Sequence, residues 1–242
     1  MADRPPLHDV RAIFFDLFNT LARFAPSREE VQSAACRDFG IQVTHQGIAA
    51  GYAHADALMA RENAGPLPLR LRSPGARAAF FREYELLILQ GAGADVGLDL
   101  AGRVWERVRQ IPYDMTLFDD VVPNLDLLRA QGLTLGLITN MNRDGEELAE
   151  SLGLKGHVDF TVTSQEVGSE KPAAPIFLAA LEHAGVGAQQ AAHVGDQVTS
   201  DVEGARGVGI RPVLMDRFTT LDHLDGVPTV RTMAELVALV NG

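Results

Sequence analysis

"AAHVGDQVTSDVEGARGVGIRPVL", residues 191–214, holds the alternation on which the fold turns. Ala191 to Val194 form a short apolar run that stops at Gly195-Asp196. A helix-like stretch follows from Thr199 to Gly209, and a second apolar run, Ile210 to Leu214, closes the unit. The same rhythm extends outward. "LTLGLI" (133–138) and "VDFTVT" (158–163) are further strand-like runs. Helix-like stretches lie between and around them at 122–132, 144–153, 172–185 and 232–241. Strand alternating with helix predicts an α/β fold with a doubly wound, Rossmann-like parallel sheet.

One more strand, "AIFF" (12–15), opens the chain and ends at Asp16. The next ninety residues are different in kind. "SREEVQSAACRDFG" (27–40) begins with a capping-box pattern, Ser27 and Glu30, and stops at Gly40. Stretches 45–65, 75–93 and 100–111 continue the helical periodicity, punctuated by Gly/Pro segments such as "GPLPLRLRSPG" (65–75). The economical organisation is an α/β core made of residues 1–24 and 114–242, interrupted by an all-helical cap at 25–113. Hinges are expected near 22–26 and 111–116. The apolar "FFREYELLILQ" (80–90) is expected to be buried within the cap.

Composition narrows the function. A net charge of -11 repels phosphate backbones and anionic lipid, so nucleic-acid and membrane-surface roles are disfavoured. No apolar run reaches the ~20 residues of a membrane helix. The amino terminus carries charge and two prolines and lacks the apolar core of a signal peptide, which makes a cytoplasmic protein the expectation. The single cysteine, Cys36, excludes a disulfide framework within the chain and reads as a buried structural thiol. The expected partner is a small-molecule substrate, and the assembly a monomer or homodimer.

Open α/β sheets bind ligands beyond the carboxyl ends of their strands. The first strand ends at Asp16, "LGLI" at Thr139-Asn140, and "AAHV" at Gly195-Asp196 with Asp201 five residues on. "SEKP" places Lys171 before a helix in which Pro172 would hold an early position. Acids, a hydroxyl and a cation should therefore converge. Singly, each has a bland alternative: Asp16, Asp196 and Asp201 as turn or helix caps, Thr139-Asn140 as a connecting turn, Lys171 as a solvated side chain.

Taken in order, "DLFNT", an inserted helical cap, "ITN", "EKP" and "GDQVTSDVEGARGVG" resemble the four motifs of the haloacid dehalogenase superfamily of hydrolases. The resemblance covers nearly the whole chain, and its last segment is the most specific. It implies Asp16 as a nucleophile that takes up a phosphoryl group. It implies Mg²⁺ held by Asp16, the Phe18 backbone carbonyl and Asp196, with Asp201 as a further ligand or water-orienting partner. Thr139 and the Asn140 backbone N–H would contact phosphoryl oxygens, Lys171 would offset charge, and Thr20 would steady the loop.

The sequence departs from the phosphatases of that family at one position. They carry a second, acid/base aspartate two residues after the nucleophile, and here that residue is Phe18. Three readings are open: a Mg²⁺-dependent phosphatase of a small phosphorylated metabolite that does without this acid or borrows one from the cap, a 2-haloacid dehalogenase, or a phosphate- and metal-binding protein with little turnover. Dehalogenases also carry an aromatic here, because halide leaves without a proton, but they need no metal, and the acidic pair Asp196 and Asp201 argues against them. His45, His54, Asp56 and Glu62 are the cap groups that could carry a proton. Arg28, Arg70, Arg72 and Tyr113 are those that could face a substrate.

Overall fold

The computed structural model describes residues 7, 9–64, 66–219 and 224–242, without the side chains of residues 60, 64 and 70. The side chain of Arg70, a candidate substrate contact, and most of the amino-terminal stretch considered as a leader thus lie outside what is described. The chain divides into two compact units, Met1–Arg23 with Met115–Gly242, and Phe24–Asp114.

Strand β1 (Ala12–Phe15) is buried along its whole length, as a strand covered on both faces must be. β2 (Ala22–Ala25) leaves it after a tight turn. The helical unit comes next with α1 (Arg28–Asp38), α2 (His45–Ala64), α3 (Pro74–Gly91) and α4 (Leu98–Val108). β3 (Asp114–Leu117) then pairs with β2 in a separate two-stranded sheet. The alternation begins with α5 (Val121–Ala130), β4 (Thr134–Thr139), α6 (Gly145–Ser151), β5 (Phe160–Thr163), α7 (Ser164–Val167) and α8 (Ala174–Ala184). It ends with β6 (Ala191–Gly195), a π-helical turn at Val198–Glu203, α9 (Gly204–Gly207), β7 (Arg211–Met215), β8 (Thr229–Val230) and α10 (Met233–Asn241).

Six strands form one parallel sheet in the order β5-β4-β1-β6-β7-β8. Side chains alternate across it, as strand geometry requires. Ile13 and Phe15 join Leu135, Leu137, Val194 and Val213 beneath α5 and α10. Ala12 and Phe14 join Ile138, Val162 and Ala191 against α8. β1 lies at the centre, and successive elements run outward from it to either side. That makes its carboxyl end the topological switch point where such sheets open a crevice.

The helical unit builds its own core. Val31, Ala35, Cys36, Leu89, Val104 and Val108 pack α1, α3 and α4 together. Ile48, Tyr52, Phe80, Tyr84 and Ile88 pack α2 on α3. The expected capping box is present, Ser27 accepting from the Glu30 N–H and Glu30 from the Ser27 N–H. The apolar stretch of α3 is buried within the unit through Phe80, Tyr84, Ile88 and Leu89. Cys36 is fully buried, and burial pushes its thiol up to about 11.

Local differences from the sequence have local causes. The segment expected to be helical from Thr199 opens as a π-turn at Val198, with Asp201 turned inward to accept the Gln197 N–H. The helix after Lys171 starts at Ala174, so Pro175 and not Pro172 sits in its first turn. β2, β3 and β8 escape notice in the sequence because they are two to four residues long and carry no continuous apolar run.

Candidate active site

The strand register decides which side chains meet. Phe15 pairs with Leu137 on one side and Val194 on the other. Asp16, the next residue, therefore emerges beside the Gly195-Asp196 end of β6 and the Thr139 end of β4. Its own N–H remains tied to the Val194 carbonyl at 2.8 Å.

Lys171 reaches this point from the loop before α8. Its Nζ donates to Asp16 Oδ1 at 2.5 Å and to Asp201 Oδ1 at 2.6 Å. Asp201 Oδ1 also meets His193 Nε2 at 2.9 Å, and its Oδ2 accepts the Gln197 N–H at 3.0 Å. Gly195 is glycine for a steric reason, since a Cβ there would collide with the Asp201 carboxylate. Gly204 plays the same part further on, where a Cβ would press on the Phe177 ring.

The loop after Asp16 is a tight knot. Leu21 and Ala22 donate their N–H groups to the Leu17 carbonyl, and Asn19 donates its N–H to the Ala22 carbonyl. Asn19 holds a left-handed backbone, φ 59°, which asparagine tolerates better than most residues. That turn sends its Nδ2 to Asp196 Oδ2 at 3.2 Å. The other oxygen of Asp196, Oδ1, is buried and has no hydrogen-bond partner among the described residues.

Charge explains the titration of the cluster. Burial raises the Asp16 carboxyl, with Lys171 pulling the other way. Burial and the nearby Asp16 charge push Asp196 up to about 7. Asp201 is held below the ordinary carboxylate range: burial opposes this, and the His193 hydrogen bond and the Lys171 ammonium prevail. Burial also works against the Lys171 charge, yet its two carboxylates hold it above its usual value. Three acids thus share one lysine in a largely buried site, and with all three ionised it would carry an excess of negative charge.

A divalent cation would relieve that excess. Asp16, Asp196 and Asp201 each present an oxygen, and these atoms lie within 4.8 Å of one another. The unpartnered Asp196 Oδ1 is the donor most in want of a ligand. Asp201 is already engaged with three donors, which suits a group that orients Lys171 better than a direct ligand. Hard carboxylate oxygens of this kind fit Mg²⁺.

Thr139 ends β4, buried, its Oγ1 accepting the Met141 N–H at 3.3 Å. The Asn140 side chain brackets Lys171: Oδ1 accepts the Lys171 N–H at 2.7 Å, and Nδ2 donates to the Lys171 carbonyl at 3.0 Å. Phe18 is 37% exposed. The Thr20 hydroxyl, expected to steady the loop, is buried without a partner. His193 and Asn19 were not foreseen as site residues. The one hint was a histidine inside the otherwise apolar "AAHV".

In the helical unit, Asp56 is committed to Arg28 at 3.0 Å and Tyr84 at 2.5 Å, and Glu62 to Arg72 at 2.7 Å. Tyr113 sits edge-on to Phe24, and His45 and His54 are exposed.

A model of the family described as "Hydrolase: haloacid dehalogenase-like hydrolase" matches residues 10–209. A ribulose-1,5-bisphosphate 5-phosphatase from Halopiger xanaduensis is 30% identical over 95% of this chain and 99% of its own length. A phosphoserine phosphatase from Thermus thermophilus is 33% identical over 92% of this chain and 95% of its own. Among solved structures, a 2-haloacid dehalogenase from Pseudomonas syringae pv. Tomato DC3000 superposes with a TM-score of 0.55 at 25% identity, covering 96% of this chain and 98% of that one.

Proposed function

The chain belongs to the haloacid dehalogenase-like hydrolases, and from that membership we propose that it is a Mg²⁺-dependent phosphatase of a small phosphorylated metabolite, working through an aspartyl-phosphate on Asp16. The Halopiger and Thermus relatives, both matched over nearly their full length, are named phosphatases, which supports this class of hydrolase over dehalogenases. The observation that carries the proposal is the buried, unpartnered Asp196 Oδ1 beside Asp16, an arrangement a metal-free dehalogenase has no use for.

Asp16 attacks phosphorus, forming an O–P bond as the bond to the leaving oxygen breaks. Water then attacks the same phosphorus, releasing phosphate and returning the carboxylate. Lys171, held by Asp16 and Asp201, supplies fixed positive charge to the phosphoryl group as charge develops. Thr139 and the Asn140 N–H contact its oxygens. Asp16, Asp196 and the Phe18 carbonyl would hold Mg²⁺, with Asp201 beside it; such an ion would neutralise phosphoryl charge that the carboxylates otherwise repel. Phe18 donates no proton, so the enzyme suits substrates whose leaving group needs little protonation, or takes its acid from another residue.

Phe18 is also the observation that favours a second reading, dehalogenation of a 2-haloacid. A panel of phosphate esters and acyl phosphates with and without Mg²⁺, run beside 2-chloropropionate with chloride detection, separates the two. Phosphate release that needs Mg²⁺ and drops by ~10⁴-fold or more in Asp16→Asn supports the phosphatase. Chloride release indifferent to chelator would replace it with the dehalogenase. No turnover on either, with metal still bound, would leave a binding protein. Phe18→Asp should raise turnover of simple phosphomonoesters by roughly 10²-fold, because it restores the missing proton donor.

A further inference from the structure

Arg217 follows β7 and is almost wholly buried, its side chain 7% exposed. Its Nη1 donates to Asp120 at 3.0 and 3.2 Å, and its guanidinium lies 4.1 Å from the centroid of the Phe118 ring. Asp120 Oδ2 also accepts the Met233 N–H at 2.9 Å, so the pair joins the start of α5 to the start of α10. A structural salt bridge would need nothing more. Yet Arg217 Nε turns to the Thr20 carbonyl and donates at 2.7 Å, across 197 residues of sequence.

Thr20 lies four residues after Asp16, in the knot that also carries Asn19 to Asp196. Its hydroxyl holds nothing, while its carbonyl is fixed by the arginine. Burying a guanidinium is costly, and Nη2 is buried here without a partner among the described residues. Five planar donors let one side chain serve two acceptors at once, which a lysine does less well.

We infer that Arg217 is a positioning residue: by gripping the Thr20 carbonyl it sets the loop that places the Asp16 carboxylate and the Asn19 tie to Asp196. The inference rests on Asp16 being the nucleophile for its catalytic consequence, but the grip itself can be read without any turnover.

The test compares Arg217→Met with Phe118→Leu, which thins the packing around the guanidinium and leaves its bond to Thr20. In Arg217→Met, amide exchange at Asn19, Leu21 and Ala22 should quicken by about tenfold or more. The kcat on the phosphate ester that serves the parent should fall by roughly 10- to 100-fold, with KM within about twofold. Phe118→Leu should lower the melting temperature and leave both readouts near the parent's. Unchanged exchange in Arg217→Met overturns the inference whatever the assay gives. So does a Phe118→Leu variant that loses kcat to the same extent, since activity would then follow stability alone. Should Arg217→Met not fold, Arg217→Lys is read by the same criteria. A parent protein inert on phosphate esters would bring down the phosphatase and leave the exchange measurement to decide for Arg217.

Discussion

The two units each bury a polar cluster, and the clusters obey different rules. At the sheet's carboxyl edge, Asp201 meets a lysine, a histidine and a backbone N–H, and is held below the usual carboxylate range despite its burial. In the helical unit, Glu85 of α3 is equally buried but among the described residues meets only the neutral amide of Gln32, which in turn accepts from the Tyr52 hydroxyl at 3.3 Å and lies 3.7 Å from Cys36 Sγ. Burial therefore pushes Glu85 up to about 7, and its Oε2 has no partner among the described residues. A buried carboxylate surrounded as Asp201 is by an ammonium, an imidazole and a backbone N–H keeps its charge, and one with an amide alone tends to take up a proton. The first arrangement suits the chemistry proposed for the site. The second ties three helices together.

Removing the cation tests the contrast most severely. Lys171→Met leaves Asp16 and Asp201 buried without a counter-charge, and should cost ~3–5 kcal/mol in urea unfolding. It should also cost ~10²–10³-fold in turnover. A variant as stable as its parent would mean that the carboxylates are not relying on Lys171.

Glu85→Gln should have a smaller effect, visible as pH dependence. The native state holds the Glu85 proton up to about 7, whereas the unfolded chain releases it near the ordinary 4.5. Stability from this proton is full below pH 4.5 and is lost as pH rises through 7. The difference in unfolding free energy between parent and variant, from urea titrations, should change by up to ~3 kcal/mol across that window. Because Asp196 titrates in both proteins, the difference isolates Glu85. Parallel curves would show that Glu85 is ionised in the native helices.

The smallest change is expected at the surface. Arg107 and Asp38 lie 2.7 Å apart but are 39% and 49% exposed. Asp38→Asn should shift stability by less than ~1 kcal/mol, and less still at high salt. A larger loss would make exposed and buried pairs more alike than burial predicts.

Much of this was legible in the chain itself. β1, β4, β6 and β7 announce themselves because strands covered on both faces must be apolar throughout, and the acids that end two of them stand out by contrast. Asp16 and Asp196 could be named because they end strands, Asp201 by its spacing after Asp196, and Lys171 from the "SEKP" segment before a helix. Asn19, His193 and Arg217 could not, since each has a role only through a partner brought near by folding, 177 residues away for Asn19 and 197 for Arg217. Asn140 was named for its backbone, but its side chain turned out to grip Lys171 from both sides. No periodicity reports that kind of closure.

That double grip reaches further than one loop. An amide facing a peptide in this way forms a small closed ring, so the tip of β4 and the segment bearing the ammonium are coupled as one rigid jaw. Under the proposed function, an incoming phosphoryl group would find hydroxyl and cation already at their mutual spacing, and would spend little of its binding energy on assembling them.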